Sequence, residues 1–216
     1  MKTIVVILMG LFFATQSFGA DTTYYAALHK SLRIADGDYI YGNYLALAYC
    51  CERIIQAKPK EWLPYYYGAY AYIHMSFMEK DEDTKDHYCQ NAQLFIDSAL
   101  VNDPDLSEMN VLQALLYFAR MEINPYIRGI LYYPKAKSAL DEAYINNPNN
   151  PRIFFLRGKA TIHTPEFMGG GKEAALPYLQ KAIELYHASG PKNNLYPYWG
   201  MTSAEELYEE CKHNNN

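Results

Sequence analysis

Four things are scarce or missing in this 216-residue chain: a second membrane-length apolar run, a basic cluster, an Asn-X-Ser/Thr acceptor and a Cys-X-X-Cys pair. Each absence removes a class of function. The apolar run over 3–13 is too short to cross a bilayer as a mature helix, and no later stretch is long enough. A net charge of -5 without a basic stripe argues against binding to a phosphate backbone, so no nucleic-acid partner is expected. The missing glycosylation acceptor makes bacterial export the simpler assumption. Cys50, Cys51, Cys89 and Cys211 are spaced neither as a small disulfide scaffold nor as a zinc site. Cys51 reads as a buried small hydrophobe, and an oxidising compartment would allow one of the vicinal cysteines to bridge to Cys89.

What is present begins with an export signal. Lys2, the apolar run 3–13 and a tail of small residues predict a secretory signal peptide over 1–19, cleaved after Gly19, with a mature domain over 20–216. No cysteine lies near that site, so no lipid anchor is expected, and the protein is placed in the periplasm or outside the cell.

A spaced pattern recurs in the rest of the chain. Ala92, Ile96, Ala99 and Pro104 are followed by Ala136, Leu140, Ala143 and Pro148, then by Ala175, Leu179 and Ala182. Leu47, Cys51, Ile54 and Pro59 form a weaker first copy. Small residues let two helices approach closely, the larger residue fills the gap, and proline stops the helix. Upstream of the last three copies lie further helical stretches with a small residue at mid-length: Gly68, Ala114 and Gly158. Helices are expected near 23–35, 40–57, 61–79, 85–102, 107–121, 134–146, 151–163, 171–187 and 202–213, with a frayed tail over 214–216.

The alanine ladder, with the aromatic-Tyr-Gly of WLPYYYG and the Arg-Gly of RIFFLRG, resembles the tetratricopeptide repeat over about residues 40–187. The Gly-Gly helix start at 169–171 is similar to that of exported tetratricopeptide proteins of the Bacteroidetes type. The resemblance implies an all-α, right-handed solenoid of about four antiparallel helix pairs, closed by a C-terminal capping helix, with first helices lining a concave face. The ladder's leading positions are 45, 44 and 39 residues apart, longer than the roughly 34 of the family. The extra residues fall between the two helices of a pair, so 78–89, 122–134 and 164–173 are expected to gather on one rim.

Chemistry-bearing patterns are weak. GGGKE lacks the Ser/Thr ending and the preceding strand of a phosphate loop, and reads as a helix start. The six histidines include no metal-binding i, i+4 pair around a glutamate. An enzymatic reading would rest on His163 with Glu166, or on His87 and Cys89, and no nucleophile motif supports it. No catalytic residue, metal or cofactor is expected.

Tyrosine is abundant, with 22 copies. Its rigid amphipathic ring suits a groove for a peptide or carbohydrate. A helical stripe traced through the first helices gives Trp62, Tyr65, Ala69, Tyr72 and Ile73; Glu108, Val111, Leu115 and Phe118; Arg152, Phe155, Lys159 and His163. By the family resemblance this stripe faces the concave surface, as an aromatic wall ending in a basic corner. The site expected is Trp62, Tyr65, Tyr72, Phe118, Arg152, Phe155, Lys159 and His163, holding a protein or peptide segment. Tyr65, Ala69, Val111 and Leu115 stand where a carboxylate clamp needs Lys and Asn, so chaperone tails are not the expected partner. The alternative is a carrier of a sugar or organic anion, which a closed apolar pocket of roughly a few hundred cubic ångströms would favour.

Overall fold

The computed structural model describes residues 17–190 and 192–213. The signal peptide expected over 1–19 lies mostly outside these residues and the 214–216 tail wholly so. The described chain is all-helical: α1 (Ser17–Gly37), α2 (Tyr41–Ala57), α3 (Trp62–Met78), α4 (Glu82–Leu100), α5 (Leu106–Ile123), α6 (Pro125–Asn146), α7 (Pro151–Ile162), α8 (Lys172–Ser189) and α9 (Met201–His213). Each helix packs on the next, and α3 also touches α5, as α5 does α7. The result is a solenoid-like stack of helix pairs whose inner layer is α3, α5 and α7.

Local chemistry explains the boundaries. The Asp81 carboxylate accepts the Thr84 N–H at 2.8 Å and opens α4, while Asp105 accepts the Ser107 and Glu108 N–H groups and opens α5. Asn124 and Asn150 cap α6 and α7, each followed by a proline whose missing N–H costs nothing at that position. The three helical positions of every copy are buried, from Leu47, Cys51 and Ile54 to Ala175, Leu179 and Ala182, while the prolines that follow are exposed or half-buried. At the mid-helix glycines the approach is close: a Cβ on Gly68 would lie 2.4 Å from the Phe95 ring, and one on Gly158 would lie 2.8 Å from Leu179.

The structure corrects one expectation and decides two points that the sequence leaves open. The segment 125–133 is not a loop before Pro134 but the first part of α6, which runs through that proline. Asn124 and Pro125 supply a complete helix start nine residues earlier, and an internal proline removes one hydrogen bond without ending the helix. The extra residues of the second unit are therefore a helical extension. The four cysteines are all buried free thiols, so no bridge joins Cys50 or Cys51 to Cys89; Cys89 Sγ instead sits 3.3 Å from Ser76 Oγ.

Thirdly, the concave groove, which the sequence leaves either open or filled, is partly filled. After α8 the chain returns across the first halves of the inner helices. Tyr67 donates to the Leu195 carbonyl at 2.8 Å, the Trp199 indole N–H donates to Tyr66 at 2.8 Å, and Tyr186 donates to the Trp199 carbonyl at 2.6 Å. Tyr196 is hydrogen-bonded to the Asp105 carboxylate, which also faces Lys192 at 3.6 Å. This strap, residues 192–200, fills one half of the groove, and α9 follows it back onto α8.

Candidate functional site

Between the second halves of α3, α5 and α7 and the facing side of α9 the groove stays partly open. A half-enclosed cavity of about 530 Å³ remains there. Tyr70, His74 and Phe77 of α3 form one wall, Leu115 and Glu122 of α5 and Phe155, Leu156 and Lys159 of α7 form the next, and Trp199 closes the strap end. Ser203, Glu206, Leu207 and Glu210 of α9 complete the lining, with Tyr39 from the α1–α2 turn. Positions 70, 74 and 77 recur at i, i+4 and i+7, which puts them on one helix face.

The lining is mixed, with aromatic and aliphatic side chains interleaved with polar and charged ones. Trp199 lies 5.4 Å from Tyr70 and 6.3 Å from Phe155 between ring centroids. Lys159 Nζ stands 5.6 Å over the Phe77 ring. His74 is packed by Tyr44, stacked at 4.8 Å, and by Tyr70 at 4.3 Å. Burial, with the Lys159 charge as a lesser cause, lowers the His74 pKa to about 3, so its imidazole is neutral at physiological pH. Its Nε2 is enclosed and has no hydrogen-bond partner, while Nδ1 lies 3.4 Å from the Tyr39 hydroxyl. Burial and then the Glu122 carboxylate push the Tyr39 hydroxyl up to about 12. Of the acidic lining groups, Glu210 is held by Lys172 at 2.8 Å.

The residues expected from sequence divide sharply. Phe155 and Lys159 line the cavity. Arg152 does not offer a basic corner: it is only 3% exposed and is locked against Glu108 of α5, behind Trp199. Burial disfavours both charges, and the facing partner offsets it; the Glu108 pKa is still raised on balance, whereas that of Arg152 rises well above its usual value. Trp62 packs edge-on to Tyr66 and to Tyr196 of the strap, away from the cavity lining. Phe118 packs on the core, and His163 is exposed just past α7. Tyr65 and Tyr72 lie on the other flank of α3: both rings meet Phe95, and Tyr72 donates to Glu52 at 2.9 Å. Tyr65 belongs there to a smaller, more open cavity of about 360 Å³. The stripe was thus misphased on α3, because that helix is apolar nearly all round and its pattern does not single out one face. Tyr70, His74 and Phe77 were legible as a spaced set; Tyr39, Glu122 and Trp199 carry no local signal.

Fold and cavity together define an all-helical, solenoid-like protein with a ligand-sized aromatic cavity under its C-terminal cap. Among solved structures the chain matches the HusA haemophore from Porphyromonas gingivalis with a TM-score of 0.81 and 30% sequence identity, over 92% of this chain and 98% of that one. The protein belongs to the family of that haemophore. No protein-family model and no curated protein sequence matches the chain.

Proposed function

We propose that this protein is a non-enzymatic carrier of a flat, largely apolar small molecule, haem or another porphyrin, held in the cavity between α3, α5, α7 and α9. The observation that carries this reading is the half-enclosed aromatic cavity in a member of a haemophore's family. Its volume falls in the range of small-molecule sites, roughly 300–1,000 Å³. Tyr70, Phe77, Phe155 and Trp199 present rings to a flat macrocycle, and Lys159 is placed to meet a propionate. Glu122 and Glu206 oppose a second anionic group, which favours a pose with one carboxylate toward solvent. A peptide ligand is less well supported, because the strap already occupies the part of the groove in which Trp62 and Arg152 were expected to hold it. On this reading the helix pairs are degenerate tetratricopeptide-like units, and the signal peptide over 1–19 delivers the carrier to the periplasm or the exterior. Among the described residues no helix is long and apolar enough to cross a membrane.

Titration with haem and with protoporphyrin IX, followed by Soret absorbance and tryptophan quenching, tests this. Phe77→Ala and Phe155→Leu should each weaken binding severalfold, while Tyr65→Ala, on the opposite flank, leaves it unchanged. Unaltered affinity in both cavity variants would move the ligand elsewhere.

A further inference from the structure

Charge is shared unevenly among the elements that line the cavity. The α7 wall supplies one cation, Lys159, which is half-buried and stands over the Phe77 ring. Against it are three carboxylates: Glu122 on the last turn of α5, and Glu206 and Glu210 one turn apart on α9. Lys172 occupies Glu210 at 2.8 Å, whereas Glu122 and Glu206 are exposed and no cation pairs with either among the described residues. Neither α3 nor the α1–α2 turn alters this balance, because the His74 imidazole and the Tyr39 hydroxyl are both neutral at physiological pH. Since α9 faces the inner helices across the cavity, an unpaired carboxylate stands on each of two opposed walls.

We infer that Glu122 and Glu206 are specificity-determining residues that restrict the carrier to macrocycles whose carboxylates are confined to one edge, an inference that rests on the porphyrin reading above. Protoporphyrin IX and haem meet that condition, with propionates on two neighbouring rings and only methyl and vinyl groups elsewhere. Coproporphyrin III, a tetracarboxylate with a propionate on every ring, does not. When one of its edges meets Lys159 and solvent, carboxylates on the other edges are carried toward α5 and α9. In the empty cavity water screens Glu122 and Glu206; a macrocycle displaces that water, and like charges a few ångströms apart then repel more strongly. The two ligands share one ring system, so stacking on Tyr70, Phe77, Phe155 and Trp199 does not separate them. Discrimination falls to charge, and the two glutamates supply it by penalising the wrong ligand rather than by gripping the right one.

The test titrates protoporphyrin IX and coproporphyrin III into the full chain, followed by tryptophan quenching. Wild type should bind coproporphyrin III at least about tenfold more weakly than protoporphyrin IX. Glu122→Gln with Glu206→Gln keeps the side-chain shapes and should strengthen coproporphyrin III far more than protoporphyrin IX, closing most of the gap. Added salt should narrow the gap in wild type and leave that of the double variant unchanged. Equal wild-type affinities, or a gap that survives both glutamine exchanges, would overturn the assignment, while the porphyrin cavity stands as long as Phe77→Ala weakens protoporphyrin IX. A wild-type protein that binds neither porphyrin would sink both readings.

Discussion

Deep between α5 and α7, Glu108 and Arg152 are 1% and 3% exposed, and Asn150 donates to the same carboxylate at 2.9 Å. Two charges so far from water hold only as a pair. Arg152→Ala leaves the carboxylate uncompensated and should lower unfolding free energy by about 3–5 kcal/mol in urea titrations. The exchange Glu108→Leu with Arg152→Met should cost much less. His74 supplies a second residue-level prediction. Its folded-state pKa near 3 lies below the ordinary 6.5, so below pH 6.5 the unfolded chain takes up a proton that the native imidazole refuses. Stability should therefore fall between pH 6.5 and 3, with His74 contributing up to about 1.4 kcal/mol per pH unit. Urea midpoints for His74→Gln should decline less steeply over that window; equal slopes would mean that the native ring titrates normally.

At the scale of the element, the helix starts were largely written in the chain. Asp105 and Asn150 with Pro151 stand where α5 and α7 begin, and the ladder's alanines are buried in each second helix. Pro134 misled because a proline reads equally as a first helical residue and as an interior kink; only the competing start at Asn124 and Pro125 decides. The extension that results carries Tyr126, Ile127 and Ile130 at 91%, 73% and 84% exposure. Ile130→Ser should accordingly change stability by less than about 0.5 kcal/mol. Gly68→Ala, by contrast, drives a methyl into the Phe95 ring and should cost about 1–3 kcal/mol. Combining it with Phe95→Leu should recover part of that loss in thermal melts, because the collision is with one ring.

Across the whole molecule, the strap and α9 convert a concave face into a cavity. The two hydrogen bonds that tie the strap to α3, from the Trp199 indole N–H to Tyr66 and from the Tyr67 hydroxyl to the Leu195 carbonyl, are each worth about 1 kcal/mol. Tyr66→Phe with Tyr67→Phe should speed hydrogen exchange over 192–210 and weaken porphyrin capture without altering helix content. A strap that stays protected in the double variant would place its anchorage in Asp105 and Trp199 packing instead.

Helix identity, pairing and stacking were set by the sequence alone, because caps, prolines and the four-three ladder act over a few residues and repeat. Phe155 and Lys159 were legible for the same reason, on a helix whose phase the pattern fixes. The site as a whole was decided by tertiary structure. Tyr39 meets His74 where the α1–α2 turn packs on α3, Trp199 joins them in the cavity lining only after the chain beyond α8 folds back, and Arg152 is buried where Glu108 faces it. Local spacing fixes which side of a helix is which; it does not fix what the far end of the chain will lay across that side.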